Sequence, residues 1–396
     1  MSQRPAPIER SPASTALLAV LLALAVLVAA VAAVGWPARV RVASPRLGMP
    51  AIDRPAATLE VRLQTSLPFI LPQMHWALEG AAGTAALPIA AHRWEAGVAV
   101  LSMRIPDLPD GGYALTLHTA QQSMRLPQAV FVRRDWPHLI RIAHIADLPP
   151  PGREPLMRLF VREINRRHPD AVLVTGDINY TGSESNIEFI AQQLAQLDAP
   201  VVMTAGNHER EAWHRYLRVF GARDHRTDLG PLAILSLDSN HGRDALTPSA
   251  LGWLQTQLEN LGGRTPIIQL HHPVFAAGPM AGPESGGTGG YLRGQRQAFL
   301  ELCRRFAVPL VLSGHWHQDA VFDQSGTLRA DRVDFPGTKY VVTTALGAEA
   351  RSIYSSVPVR NGYRWIEFTD GALTLYGTDA HNPIPSTPLE NTEGTR

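Results

Sequence analysis

Four short polar motifs, each directly behind an apolar run, constrain this chain more than any other feature. They are GDINY at Gly176–Tyr180 after Ala171–Thr175, AGNHE at Ala205–Glu209 after Val201-Val202-Met203, HHP at His271–Pro273 after Ile267–Leu270, and GHWH at Gly314–His317 after Pro309–Leu312. Short apolar runs closed by turn-forming polar residues read as buried strands. A strand that ends in Asp, Asn or His places that side chain at the carboxyl edge of a sheet, where open α/β sheets bind ligands. The four edges together predict one site assembled from several strands.

The rhythm around the motifs is strand, helix, strand, helix. Leu139–Ala146 is an apolar strand, and Leu156, Leu159, Phe160 and Ile164 follow at helical spacing. A second helical face carries Ile187, Ile190, Leu194 and Leu197. Beyond the strand Leu232–Leu237, Thr247 caps a helix with Pro248 at its first position and Leu251, Leu254 and Leu258 on its face. The last part, with Tyr340–Thr344, Tyr363–Phe368 and Ala372–Tyr376, is strand-rich. The pattern predicts an α/β fold over residues 136–380, two mixed sheets flanked by helices, and a disordered tail over 381–396.

Residues 39–135 alternate with period two in Leu59–Leu63, Val98–Met103 and Tyr113–Leu117, with Pro, Gly and Asp between the runs. That is the signature of an antiparallel β-sandwich. The expectation is a small all-β accessory domain of immunoglobulin-like type, a spacer or docking module. Its histidines, His75, His92 and His118, are scattered and form no ligand set. Asp135-Trp136-Pro137 marks the boundary.

Ser11–Ala38 contains no charge, and Ala16–Val34 is almost entirely Ala, Leu and Val. Such a span crosses a hydrocarbon core of about 30 Å. A secretory apolar region covers only about 7–15 residues, so the length favours an uncleaved anchor over residues 1–38, with Ala30-Val31-Ala32 as the alternative cleavage site. Arg4 and Arg10 precede the span and Arg39, Arg41 and Arg46 follow it, which leaves orientation open. A short cytoplasmic N-terminus and a catalytic domain outside the cytoplasm, periplasmic or extracellular, is the expectation; cleavage would make the protein secreted. A formal net charge of +1 argues against bulk nucleic-acid binding. The single cysteine, Cys303, excludes an intramolecular disulfide framework and reads as a small buried apolar residue.

Carboxylate, imidazole, amide oxygen and phenolate are what hard-to-borderline metal ions take, and the strand ends supply this set: Asp147, Asp177, Tyr180, Asn207, His271, His315 and His317. Two ions about 3.5–4 Å apart need a shared carboxylate and terminal ligands on each side. His315 and His317 stand at i and i+2, so on an extended segment both imidazoles would point the same way, with Trp316 turned into a wall.

This set resembles the calcineurin-like metallophosphoesterases over roughly Leu139–Asp379. The resemblance implies a two-sheet sandwich with helices outside and a binuclear site holding two divalent or mixed-valence ions (Fe, Mn or Zn). In it Asp177 would bridge the ions, Asn207, His271 and His315 would complete one shell, and Asp147 and His317 would serve the other. The implied reaction is attack of a metal-bound hydroxide on a phosphate mono- or diester. His208 would act as the general acid and Glu209 would orient it or begin the next helix, while His272 would contact substrate or serve structure.

The sequence departs from the family's Asp-x-His at its first motif, where position 149 is Pro. Purple acid phosphatases also lack that histidine, use a tyrosine three residues after the bridging aspartate, and in their larger forms carry a preceding β-sandwich. Tyr180 stands three after Asp177 and either ligates or lines the pocket. His144, three before Asp147, falls on the opposite strand face and is expected to be a packed core residue. The alternative function is a binding protein of this fold with an incomplete metal site.

Overall fold

The structure is a computed structural model. It describes residues 20–22, 24, 40–64, 74–120, 122–179, 183–241, 245–275, 291–317, 319–329, 335–347, 362–376 and 382–383.

The first nine strands are β1 (Arg41–Ser44), β2 (Ala51–Asp53), β3 (Thr58–Gln64), β4 (His75–Gly80), β5 (Gly83–Ala86), β6 (Ile89–Glu95), β7 (Val98–Arg104), β8 (Gly111–His118) and β9 (Ser123–Val132). They form a four-stranded sheet β1-β3-β7-β6 and a five-stranded sheet β2-β9-β8-β4-β5. In β3 alternate residues Leu59, Val61 and Leu63 are buried, and they join Trp76, Leu78, Leu101, Leu115 and Val130 in one apolar cluster between the sheets. The period-two pattern therefore does what it predicts, one face to the core and one to solvent.

The remaining chain runs β10 (Leu139–Ile145), α1 (Glu154–Arg167), β11 (Ala171–Thr175), α2 (Glu184–Leu194), β12 (Val201–Thr204), α3 (Trp213–Val219), β13 (His225–Leu229), β14 (Leu232–Ser236), α4 (Pro248–Glu259), β15 (Thr265–Gln269), α5 (Arg296–Arg305), β16 (Leu310–Ser313), β17 (Ala320–Phe322), β18 (Lys339–Val342), β19 (Gly362–Thr369), β20 (Ala372–Tyr376) and β21 (Asn382–Pro383). Strands β12-β11-β10-β19-β20 make one mixed sheet, with β21 paired to β19, and β13-β14-β15-β16-β18-β17 make the other. Residues of alternate parity separate three layers. Ile140, Ile142, Leu173, Val202, Ile234, Ile267, Leu310 and Ile366 fill the space between the sheets. Ala143, Ile145, Val172 and Val174 instead meet Phe160, Ile164, Ile187, Ile190 and Tyr216 of α1–α3 on one outer face. Leu235, Ile268 and Val311 meet Leu254, Phe299 and Cys303 of α4 and α5 on the other. Two sheets inside and helices outside is the arrangement the sequence predicts.

Local rules hold where they were expected. Thr247 accepts the Ala250 N–H at 3.0 Å with Pro248 in the first turn of α4. Cys303 is buried, and burial pushes its thiol up to about 12, so it is an inert core residue.

Residues Arg46–Met49, between β1 and β2, leave the accessory sheets and lie along β12, the edge strand of the first mixed sheet. The Met203 N–H donates to Gly48 O at 2.8 Å and the Gly48 N–H donates to Phe220 O at 3.1 Å. Leu47 is buried among the residues packed by α1–α3. The approach needs glycine at 48, because a Cβ there would stand 2.9 Å from Phe220 O and 3.1 Å from Met203 Cβ.

Among the described residues no helix is long and apolar enough to cross a membrane. Of the span Ala16–Val34, only Val20, Leu21, Leu22 and Leu24 are described; they are helical and exposed, and the rest of that expectation lies outside the described residues.

Candidate metal centre

The carboxyl ends of β10, β11 and β12 in one sheet meet those of β15 and β16 in the other, and the polar motifs stand on these ends. Asp147 and Asp177 follow β10 and β11 with φ of 52° and 53°. This left-handed turn, uncommon outside glycine, lets each chain leave the strand while its side chain stays over the edge. The two turns are laced together: the Asp147 N–H donates to Gly176 O at 3.0 Å and the Leu148 N–H to Asp177 O at 2.8 Å.

Asp177, Asn207, His271 and His315 form one tight group. His271 Nε2 stands 3.3 Å from Asp177 Oδ2, 3.0 Å from Asn207 Oδ1 and 3.1 Å from His315 Nδ1. Asp147 and His317 form a second, with His317 Nε2 3.2 Å from Asp147 Oδ1, while Asp147 Oδ2 accepts the His315 N–H at 2.9 Å. His208 donates its backbone N–H to Asp177 Oδ1 at 3.1 Å, and its half-buried side chain reaches to 3.9 Å from Asp177 Oδ2. Tyr180 lies outside the described residues.

His315 and His317 are not on an extended segment. Their φ values are 72° and 57°, so the period-two argument does not apply, and the imidazoles face different carboxylates because a left-handed turn rotates each in its own direction. Trp316 is a buried wall, edge-on to Phe322. His144 is a core residue as expected, with Nε2 3.0 Å from Thr175 Oγ1. His272 is fully buried, with Nδ1 2.9 Å from Ser239 Oγ.

Glu209 does something the sequence does not announce. Its carboxylate, fully buried, accepts the N–H groups of Asp177 at 3.1 Å, Ile178 at 3.0 Å, Asn179 at 3.1 Å and Gly206 at 2.5 Å. It thereby ties the loops that present Asp177 and Asn207. Burial, with the Asp177 charge next, pushes its carboxyl up to about 8 against those donors. Pro149 is also buried, packed so closely on Gly347 that a Cβ at Gly347 would stand 2.3 Å from its ring.

The donor chemistry of the tight group fits a cation. Thr175 O, which can only accept, lies 2.7 Å from His271 Nδ1, so that nitrogen carries the hydrogen. Nε2 then faces a carboxylate, an amide oxygen and a second imidazole nitrogen, an acceptor-rich setting that a proton on Nε2 or a cation among the four groups satisfies. The electrostatics of the group carry the same demand. Burial opposes a charge on His271, but Asp177 overrides it and lifts the imidazole to about 10. Burial would raise Asp177, yet His271 holds it far below the usual carboxylate range. His315 is pushed well down by burial and by His272 and His271. Ligand atoms of Asp177, His271 and His315 lie within 4.8 Å of one another, a spread that one ion can bridge.

Residues 140–319 match the calcineurin-like phosphoesterase family model. The chain is 30% identical over 125 residues to a glycerophosphodiester phosphodiesterase of Enterobacter lignolyticus, covering 28% of this chain and 45% of that protein. It is 29% identical over 218 residues to a 3',5'-cyclic adenosine monophosphate phosphodiesterase of Pseudomonas aeruginosa, covering 53% and 75%. The chain spans about half the length of three of the curated relatives it matches, 45%, 60% and 52%. Among solved structures, a purple acid phosphatase of yellow lupin superposes with a TM-score of 0.51 at 12% identity, over 81% of this chain and 69% of that one, a likeness of fold. Residues 140–319 are thus similar to the calcineurin-like phosphoesterases, a family that generally uses divalent metals.

Proposed function

We propose that the chain is a metal-dependent phosphoesterase that hydrolyses phosphate diesters in preference to monoesters, at a site for two divalent or mixed-valence ions of iron, manganese or zinc. The observation that carries this reading is the convergence of Asp177, Asn207 and His315 on Nε2 of His271, beside the separate pair Asp147 and His317. The names of the curated relatives, phosphodiesterases of glycerophosphodiesters and cyclic nucleotides, support the diester preference. Asp177 would be shared, with Asn207, His271 and His315 on one side and Asp147 and His317 on the other.

Bound ions of this kind acidify water and neutralise phosphoryl oxygens. The protein's own part is positional. Glu209 holds the Asp177 and Asn207 loops at one spacing, and the His271 hydrogen bond to Thr175 fixes which nitrogen faces the site. His208, anchored through its backbone to Asp177 with a side chain 39% exposed, would deliver a proton to the leaving group.

The test is hydrolysis of bis(p-nitrophenyl) phosphate and p-nitrophenyl phosphate by the chain from Arg39 onward, with Mn, Zn and Fe in turn. Faster turnover of the diester, lost on chelation, is expected. Tight metal binding without turnover of either ester would establish the second reading, a binding protein with an incomplete site, which the buried Pro149 favours. Residues 1–38 acting as an uncleaved anchor, with domains at 39–135 and 136–380 outside the cytoplasm, is the companion proposal. It rests on the charge-free apolar span Ala16–Val34, and protease accessibility on intact cells checks it.

A further inference from the structure

Behind the loop that carries His315 and His317 lies a charge pair that no metal would touch. Arg364, on β19, is 1% exposed, the largest fully buried side chain described. Its Nε and Nη2 donate to Asp319 Oδ1 at 2.7 and 2.6 Å. Asp319 is two residues beyond His317 and its Oδ1 also accepts the Thr344 N–H at 3.0 Å. Thr344 in turn reaches His317 O through Oγ1 at 3.5 Å. The next residues run along the first motif, with the Leu346 N–H on Ala146 O at 2.9 Å and the Gly347 N–H on Asp147 O at 3.1 Å. β19 itself pairs with β10, where Arg364 stands opposite His144.

We infer that Arg364 and Asp319 are positioning residues that latch the His315–His317 loop onto the strand bearing Asp147, and so set the distance between Asp147 and His317. This rests on the metal-site reading above. The loop has left-handed φ at both histidines and therefore no ladder of its own to hold it. It is gripped at the front by Asp147 Oδ2 on the His315 N–H and at the back by Arg364 on Asp319. A guanidinium this deeply buried is tolerated only against its carboxylate, so sequence and fold commit both charges to this contact. The neighbouring His144 fits that frame: burial, then the positive Arg364, lowers it to about 3 and keeps it neutral.

The experiment uses the chain from Arg39 onward and three readouts: hydrogen exchange of peptides covering 314–319 without metal, calorimetric titration with Mn²⁺, and kcat with KM on bis(p-nitrophenyl) phosphate. D319N should raise exchange in 314–319 alone, weaken the less tightly held Mn²⁺ about tenfold and lower kcat by a similar factor with little change in KM. R364K, which keeps the charge but loses the second donor, should fall between wild type and D319N. Should D319N prove too unstable, the paired apolar replacement R364M/D319L restores a neutral core and should still show the loosened loop and the weaker Mn²⁺. Exchange that rises evenly across the domain, with Mn²⁺ affinity and kcat unchanged, would overturn the latch and leave a stabilising ion pair. A wild type that neither binds Mn²⁺ nor turns over, with loop exchange still governed by Asp319, would sink the metal-site reading while sustaining the latch.

Discussion

The two halves of the candidate centre are built unequally. Asp177, Asn207 and His315 crowd within 3.0–3.3 Å of a single nitrogen, His271 Nε2, and Glu209 and Thr175 hold the loops behind them. Around Asp147, among the described residues, one imidazole, His317, stands at 3.2 Å, and at position 149, where the family resemblance implies a second, there is the buried ring of Pro149 against Gly347. The difference teaches that a metal site inherits its order from backbone support. Both halves take backbone hydrogen bonds at their strand ends, but the crowded half adds Glu209 across two loops, whereas the sparse half relies on a loop that we infer is fastened from behind.

The strongest way to break the comparison is Asp177→Asn, which removes the carboxylate both halves would share under the proposed reading. Near-complete loss of turnover and of at least one bound ion is expected, read by elemental analysis and initial rates; full metal content with a normal rate would refute the sharing. Next comes His208→Ala, which leaves every proposed ligand in place. Metal content should persist while the rate on alkyl esters falls about 10²–10⁴-fold and that on aryl esters much less, since aryl leaving groups need little proton help. Equal losses on both would remove the proton-donor role.

Pro149→His sharpens the contrast by giving the sparse half its missing donor. Mn²⁺ should bind about tenfold more tightly at the weaker site, provided the imidazole clears Gly347. Unchanged affinity would mean that the sparse half already has its full ligand set. The smallest effect separates scaffold from site. His225 is fully buried and burial lowers it to about 4 in the folded chain, against about 6.5 unfolded. Between those values the unfolded chain binds a proton that the folded one does not, so stability is lost as pH falls through about 6.5 to 4. The urea midpoint should drop across that window and drop less in His225→Asn, with metal affinity at pH 7 untouched.

Much of this was legible because the signals are local. Apolar runs and their parity placed the strands, and the residues just beyond them placed Asp147, Asp177, Asn207, His271, His315 and His317 at one edge. What stayed hidden depends on contacts far apart in sequence or on backbone that breaks period two. The left-handed turns at His315 and His317 could not be read from an HxH pattern, and four N–H groups from two loops meeting on Glu209 have no signature beyond its place in AGNHE. Arg364 lies some forty-five residues after its partner, Asp319. Nothing in the alternating stretch before β2 foretold that Leu47 belongs to another core.

That last contact sets a length. Val40 and Leu47 are already buried in the folded body, so a chain anchored through Ala16–Val34 has only Gly35–Arg39 to pay out between bilayer and protein. Even fully stretched, six backbone steps reach about 20 Å. An enzyme moored on so short a leash would sample a thin layer above the lipid and meet its substrates by their travel rather than its own.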